Sequence, residues 1–270
     1  MPLLLRMLSR LPLPLLHNLG VIVGWAVYLL SPAWRRNLRN NIERADMKQH
    51  RLAAIAESGK LLLELPRFWL RPQQEIIADI ARVSGEELIE TALASGQGLL
   101  VLTPHIGAFE AAALHLASRQ PLTVLYRRPS QPWLAQMMEQ GRSASYKLAP
   151  TEVSGVRKVL KALRAGEVVG ILPDQTPGSG DGEWAPFFGH PAYTMTLAPR
   201  LARGGAAVLF VVAERLPMGA GYHLRYVEPQ QPVTTTSALN AEVERLILQC
   251  PAQYMWGYNR YKRPAGAPPP

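Results

Sequence analysis

The apolar positions of this chain fall into two rhythms. Between Arg10 and Arg35 lie 24 uncharged residues, LPLPLLHNLGVIVGWAVYLLSPAW, enough for a bilayer crossing of about 20 apolar residues. Pro12, Pro14, His17 and Asn18 interrupt the first half. The clean part, LGVIVGWAVYLL, is short for a span. The segment reads as an uncleaved membrane element, spanning the bilayer or lying in its interface. A secretory signal competes with that reading, but no small-residue cleavage site follows, and Arg35, Arg36 and Arg39 come directly after. That basic cluster places the bulk of the protein on the cytoplasmic side.

Residues 47–70 carry Leu52, Ile55, Ala56 and Leu62 or Leu63 near a 3.6-residue period, which predicts a helix, with Pro66 marking a break. From Val83 the second rhythm begins. GEELIETALASG is amphipathic and stops at Gly96, GLLVLT reads as a buried strand, FEAAALHLASR as a helix and LTVLYR as a second strand. PWLAQMMEQGR and EVSGVRKVLKALRAG predict helices flanking the Arg142 to Lys147 region, and EVVGILPD predicts a third strand. DQTPGSGDGEWAPFFGHP is too rich in Gly and Pro for a regular element, and so long a loop in a compact domain is usually functional. AAVLFVVAE and YHLRYVEP predict adjacent strands, and TSALNAEVERLILQC a final helix opened by Thr236 or Ser237. This alternation predicts an α/β fold with a mostly parallel central sheet flanked by helices. The expected organisation is a membrane segment over 1–34, a catalytic domain over 35–263 and a disordered tail over 264–270.

Composition refines this picture in two ways. Lys plus Arg outnumber Asp plus Glu by 29 to 20, so the surface attracts an acidic partner. Cys250 is the one cysteine among 270 residues, which rules out an intrachain disulfide framework and a cysteine-rich zinc site. The other histidines lack H-E-x-x-H spacing, so no metal is expected. The tryptophans are not interleaved with basic residues, so no nucleic-acid platform is expected either.

Ligands of open α/β sheets bind beyond the carboxyl ends of the strands. TPHIGAFE, YRRP and PDQTPG all follow predicted strands. In the first, His105 and Glu110 are five residues apart across a turn into a helix. Glu110 folding back toward the imidazole would orient a general base; the alternative is a surface histidine and an exposed helix glutamate. GSGDG puts Gly where a nucleophile elbow needs Ser, and Cys250 lies far along the chain. Without a protein nucleophile, a base here would activate a hydroxyl of the substrate, as in direct transfer of an acyl group from a thioester to an alcohol. Arg127 and Arg128 have the fork geometry for a phosphate, or form a solvated basic pair. Asp174 can orient an arginine or a substrate hydroxyl, or cap its turn. WAPFFG either packs its loop on the core or lines an acyl pocket.

GEELIETALASGQGLLVLTPHIGAFE, YRRP, GRSASYK, PDQTPGSGDGEWAPFFGHPAYT and PAQYMWGYNRYKRP occur in an order that resembles the late acyltransferases of lipid A biosynthesis. These form a branch of the lysophospholipid acyltransferase superfamily. The resemblance implies an inner-membrane enzyme facing the cytoplasm. It would move a fatty acyl group from acyl carrier protein, with no other cofactor, to a phosphorylated glycolipid precursor of lipid A. In that family's pattern His105 matches the base and Glu110 its acidic partner, and Arg142 and Asp174 match positions implicated in substrate binding or catalysis. The chain departs from the pattern at Ala108 and Phe109, where relatives often carry Asn and Trp; related branches acylate other membrane lipids.

Overall fold

A computed structural model describes residues 2–270. Five helices come first: α1 (Pro2–Ser9), α2 (Leu13–Leu30), α3 (Pro32–Arg44), α4 (Arg51–Leu70) and α5 (Gln73–Ala78). Then β1 (Ile80–Ser84), α6 (Glu87–Leu93), β2 (Leu99–Leu102), α7 (Phe109–Arg119), β3 (Leu122–Tyr126), α8 (Pro132–Ser143), β4 (Lys147–Pro150), α9 (Val153–Arg164) and β5 (Val168–Ile171) alternate. A hairpin of β6 (Gly182–Phe187) and β7 (His190–Met195) and the short α10 (Leu197–Arg203) precede β8 (Ala207–Arg215), β9 (Tyr222–Val227) and α11 (Thr236–Gln249).

Seven strands form one sheet in the order β1-β9-β8-β2-β5-β3-β4. Only the β8–β9 pair is antiparallel; every other neighbour is parallel, as the helix-strand alternation predicts. The central strands are buried on both faces, and successive residues serve opposite cores. Leu100, Leu102, Val169, Ile171, Phe210 and Val212 join one apolar cluster with α3, α9 and α11. Leu99, Val101, Val168, Leu209 and Val211 join the other, with α5, α7 and α8. Helix α4 belongs to both: Ala54 and Ile55 pack in the first cluster, Phe68 and Trp69 in the second.

Helix α2 is apolar and long enough to cross a membrane by length and composition, yet it is closely docked on α4. A Cβ at Gly59 would lie 1.9 Å from the Gly20 carbonyl oxygen, and one at Gly24 would lie 2.2 Å from that of Ile55. Only glycine permits backbones to approach this far. The boundary expected after residue 34 therefore separates nothing in space, because Leu13 and Leu16 are part of the second core cluster.

Four expectations meet a different structure. Pro66 does not break α4, which runs on to Leu70. The turn beyond it is held by tertiary bonds: the buried Arg67 guanidinium donates to Asp79 and to the carbonyls of Ser9 and Leu11. The Gly/Pro-rich stretch after Asp174 contains the β6–β7 hairpin, paired through Phe187 and His190. Its prolines are tolerated because a two-stranded ribbon has only edges. Its turn residues Phe188 and Gly189 both have positive φ, 45° and 73°, and the Phe188 N–H donates to Glu244 at 2.8 Å. Phe187 and its neighbours pack on Tyr254, Tyr261 and Trp256, so WAPFFG serves the core. The final helix is capped by Thr235, whose hydroxyl accepts from the Ala238 N–H. Lastly, the tail lies against the hairpin: Ala267 is buried, and the Trp184 indole donates to the Pro268 carbonyl.

Candidate active site

Strand register brings the central pair together. Leu102 of β2 lies opposite Ile171 of β5, and the Thr103 N–H extends the ladder to the Ile171 carbonyl. Three residues beyond those partners, on each strand, stand His105 and Asp174. The His105 Nδ1 and Asp174 Oδ1 are 2.8 Å apart, and the His105 backbone N–H donates to Asp174 Oδ2 at 3.1 Å. One carboxylate thus fixes both the ring and the main chain of the histidine. Burial alone would raise the Asp174 carboxyl, but His105 and these hydrogen bonds outweigh it and hold the group below its ordinary value. With Nδ1–H committed to Asp174, Nε2 is the nitrogen left to accept a proton. It faces the Gln175 side-chain amide at 3.1 Å, and the Phe109 ring stands edge-on to the imidazole at 4.7 Å.

The turn carrying His105 is clamped from the next strand. The Ala108 N–H donates to the Ala213 carbonyl of β8, the Gly107 N–H to the Gln253 carbonyl, and the Met255 N–H to the His105 carbonyl. Gly107 has φ +61°, and a Cβ there would sit 2.0 Å from the Ala213 oxygen. The turn therefore requires glycine at this position.

Glu110 does not fold back toward the imidazole, and this corrects the expected pairing. It sits in the first turn of α7, buried, and forms a two-pronged salt bridge with Arg142 from the last turn of α8. Arg142 Nε donates to Oε2 at 3.2 Å and Nη2 donates to Oε1. The physical reason is direction: a side chain in the first turn of α7 points along the helix flank toward α8, while the loop after β5 already occupies Nδ1. Burial disfavours the Arg142 charge, but Glu110 outweighs it and raises the guanidinium pKa. Burial, reinforced by Glu110, also pushes the Tyr146 phenol far up. Thr103, Phe109, Glu110, Arg142 and Tyr146 border an otherwise apolar cavity of about 20 Å³ that runs down to Leu116, Leu122 and Val124. It has room for about one water molecule.

The remaining candidates lie at the edge. Arg127 and Arg128 follow β3 and are exposed. Arg128 Nε pairs with Glu139 Oε1 at 3.1 Å. The structure thus joins His105 to Asp174 and Glu110 to Arg142, and leaves Arg127 and Arg128 at the surface.

Sequence reasoning did not single out three residues that matter here. Gln175 faces Nε2 of His105. Arg215, the last residue of β8, is buried and its Nη2 donates to the Gly107 carbonyl at 2.9 Å. Glu64 of α4, wholly buried, accepts from Arg215 Nε at 2.7 Å and from the Tyr222 hydroxyl at 3.2 Å, with His17 Nε2 of α2 at 2.7 Å. Burial would raise the Glu64 carboxyl, but the Arg215 guanidinium and His17 keep it below its ordinary value. The available signal was a charged residue ending an apolar strand, and a glutamate set among leucines in LLLELP.

Comparison with known proteins gives this arrangement a lineage. The family model described as bacterial lipid A biosynthesis acyltransferase matches residues 2–263. The lipid A biosynthesis lauroyltransferase of Escherichia coli (strain K12) is 30% identical over 275 residues, spanning 96% of this chain and 89% of the relative. The palmitoleoyltransferase of the same pathway name and organism is 29% identical over 280 residues, spanning 95% and 88%. A lipid A biosynthesis acyltransferase of Haemophilus influenzae is 25% identical over 275 residues, spanning 95% and 87%. With the mostly parallel sheet and a match over nearly its whole length, the chain belongs to the bacterial lipid A biosynthesis acyltransferase family.

Proposed function

We propose that this acyltransferase of lipid A biosynthesis takes its acyl group from acyl carrier protein and delivers it to a hydroxyl of a phosphorylated glycolipid precursor. It does so at the cytoplasmic face of the inner membrane, with His105 as the base. The observation that carries the reading is the His105–Asp174 pair with Nε2 aimed away from the carboxylate. Among the described residues no protein hydroxyl or thiol is hydrogen-bonded to that nitrogen, so the proton it takes belongs to the substrate.

In the reaction the acceptor hydroxyl displaces the Gln175 amide and gives its proton to Nε2 as its oxygen attacks the thioester carbonyl carbon. The carbon–sulfur bond then breaks, and the imidazolium returns the proton to the departing thiolate. Asp174 keeps the ring in the tautomer with Nδ1–H and stabilises the imidazolium that forms. Glu110 acts through Arg142: it holds the guanidinium beside the apolar cavity, where the cation can steady a phosphate or the charge developing on the carbonyl oxygen. Arg127 and Arg128 are exposed cations suited to a second phosphate contact. The excess of 29 basic over 20 acidic residues favours both an acidic carrier protein and an anionic lipid.

Full-length protein with His105→Ala should lose transfer by hundreds-fold or more, while still sedimenting with membranes. Parallel assays would offer acyl carrier protein thioesters with a lipid A precursor and with a lysophospholipid. Wild-type rates from H105A, or transfer to the lysophospholipid alone, would overturn the reading.

A further inference from the structure

The exposed face of α2 and the way that helix is fixed define how the protein meets the membrane. Leu13, Leu16, His17, Gly20 and Gly24 of α2 are buried, at offsets 0, 3, 4, 7 and 11, the stripe of a helix that rests on a protein surface. Leu15, Ile22, Trp25 and Leu29 are exposed on the other side, continued by Leu4 and Met7 of α1. An apolar face of this extent on a folded protein marks an interaction surface.

We propose that α2 does not cross the bilayer, but lies with α1 in the plane of one leaflet, as part of a single-leaflet membrane-binding face; this rests on the membrane reading made above. Three observations exclude a crossing. First, α2 is joined to the catalytic core by a buried chain of polar contacts, His17 to Glu64 to Arg215, and Arg215 is the last residue of a central sheet strand. Second, α4 accompanies α2 at backbone contact through Gly20, Gly24 and Gly59. A crossing by α2 would carry Glu57, Lys60, Glu64 and the sheet end into hydrocarbon with it, against the high cost of charged groups there. Third, both ends of α2 touch the globular domain. At its start a Cβ on Gly219, in the turn after β8, would lie 2.4 Å from the Pro14 nitrogen. Just past its end the Arg35 guanidinium returns to the Tyr28 and Leu29 carbonyls, and a Cβ on Gly257 would lie 2.0 Å from the Trp34 indole nitrogen.

Charge selects an anionic lipid surface as the occupant rather than a second copy of the chain. The first acidic residue is Glu43, and before it come Arg6, Arg10, Arg35, Arg36 and Arg39. Such a basic rim around an apolar face is the pattern of a helix seated among anionic headgroups. The glycine face of α2, which could otherwise pair two copies, is already occupied by Gly59. The turn that abuts Pro14 follows Arg215, whose guanidinium holds the Gly107 carbonyl in the His105 turn. The leaflet-facing helix and the turn that carries His105 are therefore tied to the same arginine.

Topology and binding are tested separately on the full chain. Cys250 is buried, so Arg10→Cys and Lys158→Cys each supply one exposed thiol. A membrane-impermeant maleimide should modify both in inverted inner-membrane vesicles and neither in intact spheroplasts. Modification of R10C but not K158C from the outside would overturn the proposal. For binding, sedimentation with phosphatidylglycerol and phosphatidylethanolamine vesicles should fall about tenfold for Ile22→Asp and for Leu29→Asp. It should hold for Leu248→Asp, which replaces an exposed leucine on α11. Wild-type protein that ignores these vesicles would overturn the membrane reading itself; vesicle binding with outside labelling would overturn only the single-leaflet placement.

Discussion

His105 with Asp174 and His17 with Glu64 are nearly the same pair on paper, at 2.8 and 2.7 Å, both carboxylates buried. Their surroundings differ in what each carboxylate serves. Glu64 spends its oxygens on three residues from separate elements, His17, Arg215 and Tyr222, and so links helix α2 through α4 to the sheet end. Asp174 serves one residue twice, through ring and backbone, and leaves the far nitrogen of the ring facing only a neutral amide. A carboxylate whose oxygens are shared among three elements ties the fold together. A carboxylate that serves one histidine through both ring and main chain fixes that ring's orientation and tautomer instead.

That contrast can be broken most directly at Asp174. Asp174→Asn should cut the turnover rate on the order of 10³-fold, with a circular-dichroism spectrum like that of wild type; a mutant within a few-fold of wild type would erase the distinction. Arg215→Met should do the opposite, lowering unfolding free energy on the order of 3–5 kcal/mol by stranding the buried Glu64 carboxylate. Adding Glu64→Gln should recover part of that loss in denaturant titrations. Acid sharpens the comparison further. Both carboxyls have folded-state values below their ordinary 3.8 and 4.5, so each contributes stability that is fully present above its ordinary value. That contribution is lost as the pH falls through the lowered folded value. Chemical denaturation from pH 6 down to pH 2 should show a loss that is smaller in E64Q than in wild type. The least effect belongs to the surface: Arg128→Ala should change stability by no more than about 0.5 kcal/mol, since its side chain is 68% exposed. Under the proposed function, any change in activity should appear as a raised KM for the phosphorylated acceptor.

The sheet was legible because its strands obey a simple rule. Leu99 to Leu102 and Val168 to Ile171 are apolar runs, each preceded by a helical period that a glycine, Gly96 or Gly166, brings to an end. Strands β1 and β4 were not, because IARVS and KLAP lie at the sheet edges, where burial is partial and the apolar signal thins. The hairpin was hidden by Pro186, Pro191 and Gly182, residues that argue against a strand anywhere but in a ribbon. In the site, the sequence put His105 and Asp174 beyond strand ends but paired His105 by proximity along the chain. His105 and Glu110 are five positions apart, yet the ladder between β2 and β5 gives His105 a partner 69 positions away. Register is a property of two strands at once, and no spacing within one motif encodes it.

The glycine contact between α2 and α4 bears on how such an enzyme can be handled. Removing an N-terminal apolar helix is the usual way to obtain a detergent-free fragment of a membrane protein. Here a fragment beginning at residue 35 would lose Leu13 and Leu16 from the core cluster that includes Phe68 and Trp69, and leave Glu64 without His17. What looks like a removable anchor is part of the folding unit, so purification has to carry it along.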